Sequence, residues 1–342
     1  MIHQQDLTQA DGALWLAGDI GGTKTTLALY SAEAGPRAPV AKATFPSADY
    51  ASLEAIVAAF LQDRHVAIRR ASFGIAGPVV DGRVQATNLP WVIEEQAFCA
   101  WLGAPVRLLN DLAAIAHAVP NLRAEDVETL NEGRPASQAP LGVIAPGTGL
   151  GEAFLLWTGN AYRPFASEGG HADFAPNTLL GAELLAYLRP RLGHVSYEQV
   201  CSGRGLPTLY AFLRDSGRYE APDWLTAELA SAPDPTRVIV RVGIEGQAEI
   251  CVATLELFRD ILAVEAGNLA LRVLATGGIY LGGGLPPRLL RFLKTEAFTR
   301  AFTDKGRFTD FLKQVPVHVI RNPEAALFGA ACHGLELEGY HA

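Results

Sequence analysis

Apolar positions along the chain change period in a regular way. Residues 14–19 and 26–30 are short apolar runs joined by 20–25, which carries two adjacent glycines. That pattern predicts a hairpin of two strands. Leu53, Ile56, Val57, Phe60 and Leu61 then fall at i, i+3, i+4, i+7 and i+8, behind a cap at Asp49 or Ser52. This spacing predicts an amphipathic helix. Residues 71–76 and 106–109 read as buried strands, with a helix beginning after Glu94 between them. Strand and helix alternate, so the class is α/β.

The hairpin pattern occurs twice. Residues 141–157 repeat the strand, glycine-rich turn and strand of 14–30, starting 127 residues later. Such a repeat predicts two related α/β domains, each opening with a hairpin whose turn faces the other, with a ligand cleft between them. Residues 121–140 are polar and turn-rich and read as an excursion near the boundary, and 216–234, with its prolines, reads as a surface loop between helices. Residues 246–275 are apolar at helical spacing, which predicts one long buried helix or a helix pair.

Composition narrows the function. The 342 residues are 49% hydrophobic and 19% charged, the balance of an ordinary globular chain of two or three folding units. A net charge of −8 argues against nucleic acid as a partner, because binding along a phosphate backbone favours a basic surface. Cys99, Cys201, Cys251 and Cys332 fit neither a disulfide framework nor a CxxC site, which points to a reducing cytoplasm. The first dozen residues show no secretory signal. The longest uncharged stretch, 135–151, holds three prolines and four glycines, so no membrane span is expected.

Several segments carry candidate chemistry. In 19–25 (DIGGTKT), Asp19 ends a strand and is followed by Gly21, Gly22, Thr23 and Lys24. Glycines let backbone N–H groups approach a phosphate, the hydroxyl and ammonium donate to it, and the aspartate can hold Mg²⁺ through water. The same Gly-Gly suits an ordinary hairpin turn, and the segment is not a Walker loop, since Thr23 precedes Lys24. Residues 147–151 (GTGLG) miss the dinucleotide spacing by one residue and run into a strand, so a second phosphate turn at Thr148 and Gly149 fits better than a Rossmann site. Residues 277–284 hold five glycines: either a packed strand and turn, or a side-chain-free wall for an adenine ring, with a helix beginning at Arg288. Asn110 and Asp111 follow an apolar strand, where such a pair most often caps a helix. It can equally place a carboxylate at a strand's carboxyl end, where α/β folds bind ligands. Glu168, Gly169, Gly170, His171 and Asp173 suit sugar hydroxyls better than zinc, because no cysteine or second histidine lies close by. Glu198 alone reads as a solvated helix residue.

Taken in order, these segments resemble the bacterial glucokinase family of the hexokinase, actin and heat-shock ATPase superfamily. The matching stretches are DIGGTKT at 19–25, SFGIAGPV at 72–79, NLPW at 88–91, LLNDLAAIA at 108–116, GTGLG at 147–151, EGGHADFAP at 168–176, YEQVCSGRGL at 197–206, GGIYLGGG at 277–284 and TDKGRF at 303–308. The resemblance implies two actin-like ATPase (ribonuclease H-like) domains with a nucleotide and sugar cleft between them. The small domain would comprise 1–121 plus 322–342 and the large one 122–321, with a last helix from about Pro323 packing back on the first domain.

The reaction so implied is transfer of a phosphoryl group from ATP, with Mg²⁺, to the 6-hydroxyl of D-glucose. Asp111 would be the base, beside Asn110, and Glu168, His171 and Glu198 would hold the remaining hydroxyls. Gly77 and its neighbours would close on the sugar. Gly21, Gly22, Thr23 and Lys24 would grip the phosphates with Thr148 and Gly149, Asp19 would reach Mg²⁺ through water, and Gly282, Gly283 and Gly284 would border the adenosine. The resemblance also implies a homodimer in glycolysis, and domain closure on glucose to keep water from the phosphate. The related sugar-kinase family with a CxCGxxGC zinc cluster fits less well, since no cysteine separates His171 from Cys201. Nor does the stretch before Leu14 leave room for a helix-turn-helix. The alternatives are a kinase of another hexose or N-acetylhexosamine, a non-catalytic sugar sensor on this fold, and a polymerising actin-like ATPase.

Overall fold

A computed structural model describes residues 13–336, and its chain divides into two units, Met1–Arg123 with Asn322–Ala342, and Ala124–Arg321. In the first, β1 (Leu14–Ile20) and β2 (Lys24–Tyr30) form the expected hairpin, followed by β3 (Ala41–Pro46) and β4 (Ile68–Ile75). Three short strands, β5 (Val79–Val80), β6 (Arg83–Gln85) and β7 (Val92–Glu94), make a small separate sheet, and β8 (Val106–Asn110) completes the large one in the order β3-β2-β1-β4-β8. β1, β4 and β8 run parallel, so their carboxyl ends share one edge. Helix Leu53–Leu61 starts at Ser52, whose side chain accepts from the Ala55 N–H (3.3 Å), and it buries Leu53, Ile56, Val57 and Phe60. Those side chains pack with Leu16, Leu27, Phe73 and Phe98 from the sheet and the helix Glu95–Leu102.

The last helix, Ala325–Glu336, packs on β1 and on helix Asp111–Ala118. Gly329 permits this approach: a Cβ there would collide with the Ala114 carbonyl. Leu327, Ala330 and Ala331 close a small core with Ala17, Ala28 and Tyr30.

In the second unit, β9 (Val127–Asn131), β10 (Leu141–Pro146), β11 (Leu150–Trp157), β12 (Tyr162–Ser167), β13 (Gly278–Leu281) and β14 (Val317–Ile320) form a sheet in the order β12-β11-β10-β13-β14-β9. The β10–β11 hairpin repeats β1–β2, as the sequence pattern predicts. Helix Glu249–Val273 is one unbroken element of 25 residues with Ile250, Leu255, Phe258, Leu262 and Ala266 fully buried, rather than a pair.

Three expectations change. The stretch 121–140 is not only an excursion, since it contributes β9, an edge strand antiparallel to β14. An edge strand has one unpaired side and needs no apolar alternation, so its half-buried, polar sequence hid it. The expected loop 216–234 contains the helix Asp223–Ser231, where only Leu225 is fully buried, too little to give a periodic stripe. The helix expected from Arg288 is broken into a 3₁₀ turn, Pro286–Leu289, and a single turn, Leu290–Leu293. Pro286 and Pro287 supply no N–H donors there. Among the described residues no helix is long and apolar enough to cross a membrane.

Candidate active site

In the first unit the sequence-predicted residues gather at the carboxyl edge of the parallel strands. Asp19 in β1 sits opposite Gly74 of β4, which in turn faces Leu109 of β8, one residue before Asn110. Gly74 leaves room at this edge, because a Cβ would come 2.8 Å from the Ala114 methyl. Asn110 caps helix Asp111–Ala118: its side chain accepts from the Ala113 N–H at 2.6 Å. The Leu112 N–H donates to Asp111 Oδ1 at 2.9 Å, which orients the carboxyl from its own helix start. The helix cap and a carboxylate at the strand's carboxyl end thus coexist, and the cap is what aims the aspartate.

These carboxyls lie in a strained electrostatic setting. Burial and the charge of Asp111 push the Asp19 pKa up to about 6, against an opposing pull from Lys24 and a further small push from Glu324. Burial also raises Asp111, partly offset by its backbone hydrogen bonds, although its side chain remains open to solvent on one side. Lys42 pairs with Glu324 at 2.8 Å.

The glycine turn is built for close approach. Gly21 N–H donates to the Lys24 carbonyl (3.0 Å), while a Cβ on Gly22 would lie 3.1 Å from the Thr87 carbonyl. Gly77, at φ +142°, would bring a Cβ within 2.8 Å of the Gln85 carbonyl. Thr23 and Lys24 are exposed. Ser47 was not foreseen: fully buried, it donates to the Gly21 carbonyl at 2.7 Å, meets Thr25 Oγ1 at 3.0 Å, and its N–H donates to the Thr23 carbonyl. A lone serine after a strand carries no sequence signal for such a buttress.

In the second unit four motifs are stitched into one site. Gly203 N–H donates to the Gly147 carbonyl (2.8 Å) and Arg204 N–H to the Thr148 carbonyl (3.3 Å), tying 197–206 to the 147–151 turn. Glu198 N–H donates to the Gly170 carbonyl (2.8 Å), tying it to the 168–171 turn. Glu198 lies in a turn rather than the helix its sequence suggested, and its Oε2 accepts from Leu150 N–H at 2.9 Å. A Cβ on Gly149 would run into that carboxylate. Gly282 N–H donates to the Ile144 carbonyl (2.8 Å), and Gly283, at φ +79°, lies where a Cβ would come 2.7 Å from the Pro146 carbonyl. Gly284 is exposed beside them. Glu168 and His171 bracket the 3₁₀ turn Gly169–His171, their side chains 3.8 Å apart and 89% and 61% exposed, so both are free to take a ligand.

Below that turn lies a buried carboxyl that sequence reasoning passed over: Glu152, 1% exposed, in β11 opposite Ser167. Burial and the charge of Glu265 push its pKa well up, against a weaker pull from Arg272. The four cysteines are free thiols, and among the described residues no group of three or more His, Cys, Asp or Glu could hold a metal ion.

Two α/β units that each open with a glycine-turn hairpin, a carboxylate at the strand edge of the first, and exposed Glu and His around a glycine pair in the second are the arrangement of a sugar kinase of the actin-like ATPase class. A family model described as glucokinase matches residues 16–336. The chain is 38% identical to a glucokinase of Nostoc punctiforme over 333 residues, covering 93% of this chain and 98% of that one. It is 36% identical to a Yersinia pestis glucokinase over 326 residues, 95% and 97% of the two chains. A glucokinase crystal structure from an Antarctic psychrotroph matches with TM-score 0.83 and 33% identity over 94% of this chain and 98% of that one. The chain belongs to the glucokinase family. A ROK-family glucokinase of Streptomyces griseus, solved with glucose and AMPPNP, shares the fold at TM-score 0.60 and 20% identity.

Proposed function

We propose that the protein transfers the γ-phosphoryl of ATP to the 6-hydroxyl of D-glucose, giving glucose 6-phosphate and ADP, with Asp111 as general base. The observation that carries this reading is the aim of Asp111: Asn110 fixes the helix start and Leu112 N–H holds one carboxyl oxygen, leaving the other for a hydroxyl proton. Asn110, Gly77, Glu168, His171 and Glu198 would hold and enclose the sugar. Gly21, Gly22, Thr23, Lys24, Thr148 and Gly149 would meet the phosphates through backbone N–H groups, hydroxyls and an ammonium. Gly282, Gly283 and Gly284 would border the adenosine.

Phosphoryl transfer passes through a loose transition state, so most of the work is alignment and offsetting charge. A cation suits the first unit: Asp19 is crowded by the charges of Asp111 and Glu324, with Lys24 opposing them. Asp19 would hold Mg²⁺ through water, and the ion would supply positive charge to offset the negative charge developing on the transferred group. The residues assigned to the 6-hydroxyl belong to the first unit and those assigned to the other hydroxyls mostly to the second, so the reading takes 1–121 with 322–342 and 122–321 as the functional domains. It also expects closure on glucose, visible as a change in small-angle scattering or tryptophan fluorescence at saturating sugar.

The reading extends to a cytoplasmic homodimer acting in glycolysis. Free thiols throughout favour a reducing compartment, and light scattering of the purified protein tests the dimer. ADP formation from Mg-ATP with and without glucose tests the reaction. Asp111→Asn should lower kcat by about 10²-fold or more, the usual contribution of a positioned base. A variant within about threefold of wild type would remove Asp111 from that role.

A further inference from the structure

Behind the second unit's proposed sugar residues runs a chain of polar side chains, from the buried Glu152 and Glu265 to the half-buried Asn268 and Lys305 and the exposed Arg272, that no motif explains. Glu265, Asn268 and Arg272 lie on one face of helix Glu249–Val273, at the i, i+3 and i+7 positions. Glu265 is fully buried, and Arg272 donates to its Oε1 while standing 3.9 Å from Glu152 Oε2. Asn268 Nδ2 donates to Glu265 Oε2 at 2.8 Å and to the Tyr197 hydroxyl at 2.9 Å. Lys305, from the TDKGRF stretch at 303–308, donates to Asn268 Oδ1 at 2.6 Å.

Both ends of this chain touch the site. Glu152 lies directly under Gly169, where a Cβ would collide with its carboxyl, and Gly169 N–H donates to Ser167 Oγ across from it. Tyr197 is the residue before Glu198, and the Tyr197 N–H donates to the Ala172 carbonyl, one residue after His171. Two buried carboxyls are expensive to desolvate, and such groups persist where they are fully connected. Glu152 Oε1 meets no donor group. Burial and the charge of Glu265 favour the protonated form of Glu152, which can then donate to Glu265, while Arg272 pairs with Glu265.

We propose that Glu152, Glu265, Asn268, Arg272 and Lys305 are a positioning set that holds the 168–171 turn and the Tyr197–Glu198 pair, and thereby sets the affinity for glucose. None of them touches the sugar in this assignment. It rests on the reading of Glu168, His171 and Glu198 as sugar ligands. It also gives the TDKGRF stretch a task, since Lys305 holds the Asn268 amide oxygen.

The test measures kcat and both KM values for wild type, Glu152→Ala, Glu152→Gln, Tyr197→Phe and, as a reference for the sugar reading, Glu168→Gln. Glu152→Ala should raise the glucose KM about tenfold or more with the ATP KM within about twofold, the scale seen when groups behind a ligand are removed. Glu152→Gln keeps a neutral group of the same shape that donates to Glu265, and should return the glucose KM to within about threefold of wild type. Tyr197→Phe, which removes one hydroxyl and keeps the ring, should raise the glucose KM about threefold. An unchanged glucose KM in Glu152→Ala, an equal rise for ATP, or a Gln variant as impaired as Ala overturns the proposal. Should Glu152→Ala fail to fold, Tyr197→Phe decides, and an unchanged KM there overturns it. If Glu168→Gln raises the glucose KM and Glu152→Ala does not, the positioning set alone fails. If Glu168→Gln leaves it unmoved, the sugar reading fails and this proposal with it.

Discussion

Asp19 and Asp111 stand at the carboxyl ends of two parallel strands with one strand between them, and the charge of Asp111 helps hold the Asp19 pKa near 6. Their repulsion is relieved by a proton, a cation or a ligand that donates. A sugar hydroxyl donating to one carboxylate and a cation near the other would supply two of these.

A base works in its deprotonated form. Since burial raises Asp111 above the ordinary aspartate value of 3.8, kcat/KM for glucose should fall as pH drops through a pKa higher than that. Initial rates between pH 4 and 8 would show this limb, and a flat profile down to pH 4 would contradict it.

Ser47→Ala would leave the part-buried Gly21 carbonyl without its side-chain donor. The loss should be about 1–3 kcal/mol of stability. The effect on catalysis should fall on the ATP KM, with the glucose KM unmoved, because the buttressed turn is the one assigned to phosphate. Thermal unfolding and steady-state kinetics read the two effects separately.

Gly149→Ala would drive a methyl group into the Glu198 carboxylate and break its hydrogen bond from Leu150. We expect kcat/KM for glucose to drop by about 10²-fold, the scale of an ångström-sized displacement in an active site.

His333 predicts how stability depends on pH. Burial, with His117, Arg107 and Arg70 nearby, lowers its pKa from 6.5 to about 3, and Ser72 Oγ lies 2.7 Å from its Nδ1. The unfolded chain takes up a proton below pH 6.5 while the folded one resists until about 3. Stability should therefore fall as pH drops through this window, by at most about 1.4 kcal/mol per unit. Urea midpoints at pH 7 and 5 would show the loss, and His333→Gln should flatten the difference.

Much of the fold was legible because it follows from local period and turn chemistry. The β1–β2 and β10–β11 hairpins announce themselves by apolar runs around glycines, and helix Leu53–Leu61 by its stripe. Strand β9 and helix Asp223–Ser231 escaped because each buries too little to print a pattern. The candidate site was legible where a cap names its own position, as at Asn110, whereas Gly77 came only from the family resemblance and its positive φ is seen in the structure.

By itself the sequence determined the α/β alternation, the repeated hairpin, the glycine turns and the carboxylate at the end of a strand, because each depends on residues close together in the chain. Tertiary structure alone decided that Ser47 props the first turn, that Glu198 reaches across to Leu150, and that Glu152 meets Glu265 and Arg272 beneath Gly169. Those partners lie between 26 and 120 residues apart. A buried polar contact at that separation leaves no local period, since only the packing of distant elements supplies the second group.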